Sequence, residues 1–407
     1  MSNENELNHH HCVLLVYPGS MDREIERSHL LERFFGEVFH SPAEVPSDLS
    51  ERAVYICGDL QAVKLNMPCQ VIRELSTGYE AMISASSVAI QVISLGQVPH
   101  SVHGLGVYYP AYFEEMNLFG KISAEHEFQQ LTESNKPSQA LRTGIYLSEV
   151  TRAEGDQSDE PALHFHLMRC SSNLSGPTDN FRQSDRLVIG AINESAQQVF
   201  EREVKLNHVL AQIYTNRQDS EKQTKARIGA HSDKTKDMHP DGVMAFCSFY
   251  QEEELERLDR SDVDPYDRVY KKVSGLTRLH FKLKKSVEAE GLISEFSVTL
   301  YPNSVLFIPL STNRLYTHAI RPPVLNADLM PTRMGYVVRC SDTEAIHENG
   351  QTYIIEDGQR VLLAEMDSSG ERDLRSTYFD ENATDEHISY GDVYFSMNAG
   401  DYMKPIY

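Results

Sequence analysis

The feature that most limits how this chain can fold is a series of short apolar segments between residues 145 and 340. The segments are rich in β-branched and aromatic residues, and turn residues such as those at 301–303 separate them. Many short strands at this spacing favour a jelly roll or a barrel. The segments are 145–150, 163–168, 209–215, 243–250, 278–284, 296–300, 304–309, 316–320 and 333–340.

The regions on either side of this series have a different texture. Residues 1–140 mix short apolar runs with stretches of helical spacing, which predicts an N-terminal α/β extension. Residues 346–407 are acidic with a few short strands, which predicts a C-terminal extension that packs on the core. The predicted fold class is therefore α+β, with a β-rich central region at 141–345 between the two extensions.

Charge and composition narrow the possible partners. Lys and Arg total 38 against 60 Asp and Glu, so the net charge is −22, and the overall field repels a phosphate backbone. Nucleic acid is therefore the less expected partner, although a local basic groove is not excluded. The six cysteines form no CxxC pair, and the sequence has neither a membrane span nor a signal peptide. We expect a cytoplasmic protein, and its oligomeric state stays open.

The pattern that points to chemistry is the segment His231-Ser232-Asp233. In an extended chain, residues two apart point to one face, where an imidazole and a carboxylate can share an ion. A further histidine, His318, lies in another strand-like segment. Two histidines and one carboxylate leave coordination positions open, as in the non-haem Fe(II) oxygenases. Taken singly, either histidine also fits a hydrogen-bonded core position.

Two arginines, Arg333 and Arg339, lie six positions apart in a strand-like segment. Six is an even number, so both guanidinium groups point to the same face of the strand. Buried arginines are costly unless they meet anions, and the planar fork of a guanidinium grips a carboxylate at two points. Structural ion pairs are the alternative. Upstream, Gln212 and Tyr214 place an amide and a phenol on one strand face, where they suit hydrogen bonds to the same ligand.

In this order along the chain, these residues resemble the catalytic core of the Fe(II)/2-oxoglutarate-dependent dioxygenases. They are most similar to the AlkB-like branch, which carries N-x-Y, H-x-D, a distal His and R-x5-R. The resemblance covers residues 207–341, about a third of the chain, and implies a double-stranded β-helix as the catalytic domain at 141–345. The departure is Gln212, which stands where the branch usually has Asn.

The resemblance also implies a role for each matched residue. Fe(II) would be bound by His231, Asp233 and His318. The distal carboxylate of 2-oxoglutarate would pair with Arg333, assisted by Tyr214 and, where its longer side chain reaches, by Gln212. The remaining arginine, Arg339, would lie near the carboxylate at the metal end or would order the site from behind.

The implied reaction is hydroxylation of a C–H bond of a small metabolite or a protein side chain, with release of succinate and CO₂ from 2-oxoglutarate and O₂. Two alternatives remain, namely an oxidative demethylase of alkylated nucleic acid and a catalytically inactive β-helix binding protein. The presence of all the metal and co-substrate residues favours an enzyme. Next to the H-x-D segment, Lys234, Lys236 and Asp237 either line a substrate entrance or form an exposed turn.

Overall fold

A computed structural model describes residues 4–18, 24–41, 49, 51–133, 136–152, 161–169, 174–218, 222–288 and 290–407. It combines helices with several sheets, one of them large, which agrees with the prediction of a β-rich α+β fold at that coarse level. No helix in the described ranges is long and apolar enough to cross a membrane.

The N-terminal region forms a parallel sheet with the strand order β2-β1-β3-β4-β5. Its strands are rich in Val, Ile, Leu and Cys, as expected of strands that are covered on both faces. Its elements are β1 (Cys12–Val16), α1 (Glu24–Arg33), β2 (Glu37–Phe39), β3 (Ala53–Asp59), β4 (Cys69–Thr77), α2 (Tyr79–Ala85) and β5 (Ile90–Ile93).

The rest of the chain is dominated by antiparallel strands. Its first half contains β6 (His100–Val102), β7 (Gly106–Tyr109), α3 (Leu118–Glu125), β8 (Gln129–Glu133), β9 (Lys136–Ser148), β10 (Thr151–Arg152), β11 (Leu163–Leu167), β12 (Asp179–Asn180), α4 (Gln183–Val199) and β13 (His208–Tyr214). The middle contains β14 (Arg217–Gln218), β15 (Gln223–Thr224), β16 (Ile228–His231), β17 (Val243–Tyr250), α5 (Glu252–Leu255), β18 (Asp259–Arg260), β19 (Arg268–Tyr270) and β20 (Val273–Ser274). The last part contains β21 (Arg278–Leu283), β22 (Glu295–Thr299), β23 (Ser304–Pro309), α6 (Leu310–Leu315), β24 (Tyr316–Arg321), β25 (Arg333–Arg339), β26 (Thr343–Glu348), β27 (Gln351–Glu356), β28 (Gln359–Leu362) and α7 (Ser368–Ala383).

Two sheets carry the predicted site residues. The large sheet has the order β12-β9-β13-β25-β17-β23-β7-β6, and the small sheet has the order β16-β24-β21-β22. From β13 to β25 the chain passes back and forth between them: β13, β17, β23 and β25 belong to the large sheet, and β16, the hairpin of β21 and β22, and β24 to the small one. Neighbouring strands in these two sets of four are antiparallel.

The side chains between the two sheets form one apolar cluster. It includes Phe246 from the large sheet and Phe281, Phe296 and Tyr316 from the small sheet. The rings of Phe281 and Phe296 stack with 4.8 Å between their centroids. A dry interior of this kind strengthens any electrostatic interaction made inside it.

The other face of the large sheet packs on α4 and continues into the N-terminal sheet as a single core. The stripe of α4 that enters this core is Val188, Ile192, Ala196 and Val199, at helical spacing. From the N-terminal sheet, β1 contributes Cys12, whose thiol donates a hydrogen bond to the carbonyl of Gln198. We call this region the shared core, because it joins the N-terminal sheet to the large sheet.

The predicted domain boundaries both fall inside strands. Residue 140 lies within β9, and residue 345 lies within β26. The large sheet also includes β6 and β7, which come before the first boundary, because strands β7 and β23 pair along the sheet. In the C-terminal region, β26, β27 and β28 form a second antiparallel sheet with β10 and β11, and α7 follows it.

Candidate metal centre

Strands β16 and β24 of the small sheet bring two histidines opposite each other. The ladder between the strands is irregular between Ile228 and His231, and after this bulge His231 pairs directly with His318. Directly paired residues share one face of a sheet. The two imidazole rings consequently lie side by side, with 4.5 Å between their centroids.

The carboxylate of Asp233 joins this pair from the loop that follows β16. One ligand atom from each of His231, Asp233 and His318 lies within 4.8 Å of the others. The Nε2 atoms of the two histidines are 3.4 Å and 3.6 Å from Oδ1 of Asp233. The side chains of Asp233 and His318 are 8% and 4% exposed, whereas that of His231 is 34% exposed and leaves one side of the group open.

Both imidazoles are oriented by their surroundings. Nδ1 of His231 lies 2.9 Å from the carbonyl of Gly229. A carbonyl can only accept, so Nδ1 donates to it, and Nε2 is the nitrogen that faces Asp233. Burial, reinforced by the neighbouring His231, lowers the pKa of His318. Its ring packs against Phe246 and Phe281, with centroids 5.5 Å and 5.9 Å away.

The carboxylate of Asp233 is held in its charged form. Burial by itself would raise its pKa, but the guanidinium of Arg339 and the two histidines hold that pKa well below its usual range. Nε of Arg339 donates a hydrogen bond of 2.8 Å to Oδ2 of Asp233. The structure thus places Arg339 on the Asp233 oxygen that the histidines do not approach.

The other predicted arginine, Arg333, is buried and forms no ion pair with a carboxylate among the residues that the structure describes. Strand β25 directs Met334, Tyr336 and Val338 into the shared core, so Arg333 and Arg339 both face the space between the two sheets. Arg333 is only 3% exposed. Its Nε and Nη2 atoms have no hydrogen-bond partner within the described parts of the chain.

The ring of Tyr214 holds this guanidinium in position, and Gln212 in turn holds Tyr214. The guanidinium lies over the ring of Tyr214, 4.4 Å from the centroid, in a cation–π contact. The hydroxyl of Tyr214 donates to Oε1 of Gln212 at 2.8 Å, so Gln212 reaches the phenol. A Cβ atom at Gly335 would lie 3.0 Å from Nη1 of Arg333, and the glycine therefore leaves room for the folded arginine.

Several side chains that support the Asp233 loop were not predicted. Oδ1 of Asn313, in α6, accepts from the Asp233 N–H at 2.8 Å, and Nδ2 of Asn313 donates to the Asp233 carbonyl at 2.9 Å. From α7, Asn382 accepts from Ser232 and Glu381 accepts from Thr235. Neither asparagine belongs to a motif. The one available signal was the position of Asn313, five residues before His318.

The lysines beside the H-x-D segment have largely buried side chains, so they do not form the exposed turn that was one of the two predictions. Nζ of Lys236 donates to Asp237 at 2.9 Å, and both side chains are buried. Nζ of Lys234 donates to the carbonyl of Tyr378 in α7 at 2.9 Å. Arg169 also donates to Asp237, through Nη2 at 2.7 Å, so two cations share this carboxylate, while Lys234 lies 3.7 Å from Glu381.

A second group of possible ligand atoms lies near the start of α4. It consists of Glu125, His126 and Asp185, and its atoms also lie within 4.8 Å of one another. Here the ring of His126 is bonded on both sides, to Asp179 through Nδ1 at 2.8 Å and to Asp185 through Nε2 at 2.7 Å. Although burial opposes it, these hydrogen bonds raise the pKa of His126 to about 9.

Comparison with known proteins assigns no family to the chain. No family model matches the sequence, and no curated protein matches it. Among solved structures, "The structure of OsALKBH1" is 14% identical, with a TM-score of 0.29, covering 55% of this chain and 90% of that one. The non-heme alpha ketoglutarate dependent epimerase SnoN from nogalamycin biosynthesis is 12% identical, with a TM-score of 0.29, covering 59% of this chain and 80% of that one. These TM-scores are too low to support an argument about function.

Proposed function

We propose that this protein is an Fe(II)- and 2-oxoglutarate-dependent dioxygenase built on a double-stranded β-helix. The topology of eight of the strands between β13 and β25 supports the fold. Four of the eight lie in each sheet, in the orders β13-β25-β17-β23 and β16-β24-β21-β22, with all neighbours antiparallel. A chain that alternates between two facing antiparallel sheets is the arrangement of a jelly roll.

The observation that supports this function is that a group of possible metal ligands and a buried arginine face the same interior. His231, Asp233 and His318 offer two imidazole nitrogens and one carboxylate oxygen around a common point. The guanidinium of Arg333, whose Nε and Nη2 have no hydrogen-bond partner in the described parts of the chain, faces the same interior. A donor set of this type suits Fe(II) and leaves coordination positions open. A buried cation with unused hydrogen-bond donors calls for an anion, and a 2-oxo dicarboxylate satisfies both groups at once.

Each neighbouring residue has a defined task in this proposal. Arg333 grips the distal carboxylate of 2-oxoglutarate, while the ring of Tyr214 holds the guanidinium and Gln212 holds the Tyr214 hydroxyl. Arg339 neutralises the Asp233 oxygen that faces away from the histidines. Phe246 and Phe281 pack against His318 and exclude water from it. When bound, the iron supplies the redox chemistry that activates O₂ towards a C–H bond.

An anaerobic titration tests the proposal directly. Purified protein is titrated with Fe(II) and 2-oxoglutarate, and the visible charge-transfer band of a chelated 2-oxo acid is followed. We expect a band in the wild type, and we expect Arg333→Ala to need about 100 times more 2-oxoglutarate, because two charge-assisted hydrogen bonds are lost. Arg375→Ala, on the exposed face of α7, is the matched control. No band and no bound iron in the wild type would favour the inactive binding protein.

The proposed substrate is a small metabolite or a protein side chain, and the reaction is hydroxylation of one of its C–H bonds. The open side of the centre, at the partly exposed His231, is where a substrate can approach. Release of succinate and CO₂ that rises on addition of a candidate, together with a mass increase of one oxygen atom in that candidate, identifies the substrate. Turnover of 2-oxoglutarate without a change in the candidate does not identify the substrate.

A specific surface feature favours a second candidate, the oxidative demethylase of alkylated nucleic acid. On the outer face of the small sheet, Arg278 of β21 pairs directly with Arg321 of β24, and Lys282 lies on the same face four residues along β21. All three are exposed. Like charges in opposite positions repel each other, and an anion laid across them relieves the repulsion. The sequence shows no such cluster, because the residues come from separate strands.

The salt dependence of oligonucleotide binding separates the two candidates. If these three side chains contact a single strand, the logarithm of affinity falls with the logarithm of salt concentration with a slope of about −2. The double variant Arg278→Ala/Arg321→Ala should flatten that slope, whereas Arg375→Ala should not. Binding that is absent, or that ignores salt, favours the metabolite or protein substrate.

A further inference from the structure

The loop between β16 and β17 is supported by side chains from distant parts of the chain. Asp233 lies in this loop, outside any strand ladder, and Ser232 is completely buried. A buried backbone N–H needs an acceptor. Three N–H groups of the loop find theirs in side chains: that of Ser232 in Asn382 at 2.7 Å, that of Asp233 in Asn313 at 2.8 Å, and that of Thr235 in Glu381 at 2.9 Å.

Two of these three acceptors belong to the last turn of α7, and this turn is itself fixed. The buried Lys284, at the end of β21, donates to the carbonyls of Glu381 at 2.6 Å and Thr384 at 2.9 Å. A lysine in this position satisfies carbonyls that the end of a helix leaves open. Nδ2 of Asn382 donates to the carbonyl of Tyr378 at 3.1 Å, so its Oδ1 is held towards the loop.

The loop also holds α7 in return. Nζ of Lys234 donates to the carbonyl of Tyr378 at 2.9 Å, and Oγ1 of Thr235 donates to Glu381 at 2.6 Å. The contacts therefore run in both directions across residues 232–235 and 378–384. A helix whose only task was to cover apolar surface would not need to present polar atoms to this loop.

We propose that Asn382 is a positioning residue for the metal centre, a role that rests on the function proposed above. By accepting from Ser232, it fixes the backbone one residue before Asp233 and one residue after His231. The angle between these two ligands depends on that backbone. The C-terminal helix α7 is then part of the metal centre, although it supplies no ligand. Partners that orient metal ligands typically change metal affinity 10- to 100-fold when they are removed.

Anaerobic titration with Co(II) alone, followed by its visible absorption, measures this role. We expect Asn382→Ala to bind Co(II) roughly 10- to 100-fold more weakly than the wild type. Asn382→Asp keeps an oxygen that can accept from Ser232 and should bind within a few-fold of the wild type. Thr377→Ala is the matched control, because it removes a side-chain hydrogen bond from the exposed face of the same helix. Thermal unfolding of each metal-free variant is recorded alongside.

The outcomes separate this inference from the proposed function. A wild-type protein that binds no metal overturns both. A wild type that binds metal, with Asn382→Ala binding equally well, overturns the inference alone, and so does an Asn382→Asp variant that is as weak as Asn382→Ala. Should Asn382→Ala fail to fold, Asn382→Gln takes its place, since it keeps the amide but moves its oxygen. Weaker binding by that variant supports the inference, and unchanged binding overturns it.

Discussion

Two clusters in this protein bring histidine and carboxylate groups within 4.8 Å of one another, yet their chemistry differs. Around His126, the two ring nitrogens are bonded to two carboxylates at 2.7 Å and 2.8 Å, and no lone pair remains. At the metal centre, the contacts from the imidazoles to Asp233 are 3.4 Å and 3.6 Å, longer than hydrogen bonds of charged groups. One cluster satisfies itself as an ion pair, and the other leaves lone pairs for a further partner.

The pKa shifts separate the clusters in the same way. The pKa of His126 is raised, so its imidazole is a cation between two anions. The pKa of His318 is lowered, so its imidazole is neutral, and the guanidinium that pairs with Asp233 is that of Arg339. Proximity of ligand atoms alone therefore does not predict a metal site. The protonation state that the surroundings impose decides which cluster can accept an ion.

The largest effect expected from this comparison is on metal binding. The wild type should bind one equivalent of Fe(II) or Co(II) per chain, and His318→Ala should weaken that binding by about 100-fold or more, because a ligand is lost. His126→Gln should leave both the affinity and the stoichiometry unchanged. Anaerobic titration followed by metal analysis measures both variants. A loss of the bound equivalent in His126→Gln would show that the cluster around His126 binds the metal ion.

The next effect concerns stability. Because the folded-state pKa of His126 is raised to about 9, the stability from its ion pairs is fully present below the unfolded pKa of about 6.5 and is lost as the pH rises to about 9. The difference in unfolding free energy between wild type and His126→Gln should therefore shrink by about 3 kcal/mol over that window. Urea unfolding at a series of pH values measures the difference.

An exposed histidine provides the control for that experiment. The side chain of His387 is 56% exposed, and His387→Gln should differ from the wild type by only a small amount. A difference for His126→Gln that is independent of pH would mean that His126 is not charged in the folded protein.

The smallest effect concerns the space under Arg333. Gly335→Ala places a methyl group 3.0 Å from Nη1 of Arg333 and 3.2 Å from the ring of Tyr214, so both must shift. We expect 2-oxoglutarate affinity to fall about fivefold, for a cost of about 1 kcal/mol, with metal affinity unchanged. Gly190→Ala, where a Cβ meets nothing within 4 Å, is the control. Equal affinities in wild type and Gly335→Ala would show that Arg333 does not need this space.

The sequence reveals the part of the centre that depends on strand geometry. Even spacing brings Arg333 and Arg339 to one face, and the structure gives them that common face. The sequence also predicts that Asp233 and His231 share a site, because only one residue separates them. Whether these residues bind Fe(II) and 2-oxoglutarate is still a prediction, which the titrations above address.

The parts that sequence reasoning missed depend on contacts between distant segments. Asn382 is 150 residues from Ser232, and Asn313 is 80 residues from Asp233. The cluster around His126 takes its aspartates from 53 and 59 residues further on. Nothing periodic marks such residues. Their roles depend on contacts that form only when the chain folds. Domain boundaries chosen from composition ignore such contacts, and they fall inside β9 and β26.

The shared core has a consequence for the time course of synthesis. Strands β1 to β5 leave the ribosome first, but the α4 side chains that help to cover one face of their sheet end at residue 199. At usual rates of translation, the 106 residues between the end of β5 and the end of α4 take roughly 5 to 20 s to make. During that interval Cys12, Leu14 and Val16 have no α4 to pack against. A nascent chain stalled before α4 should therefore be a substrate for chaperones, and one stalled well after α4 should be a poorer one.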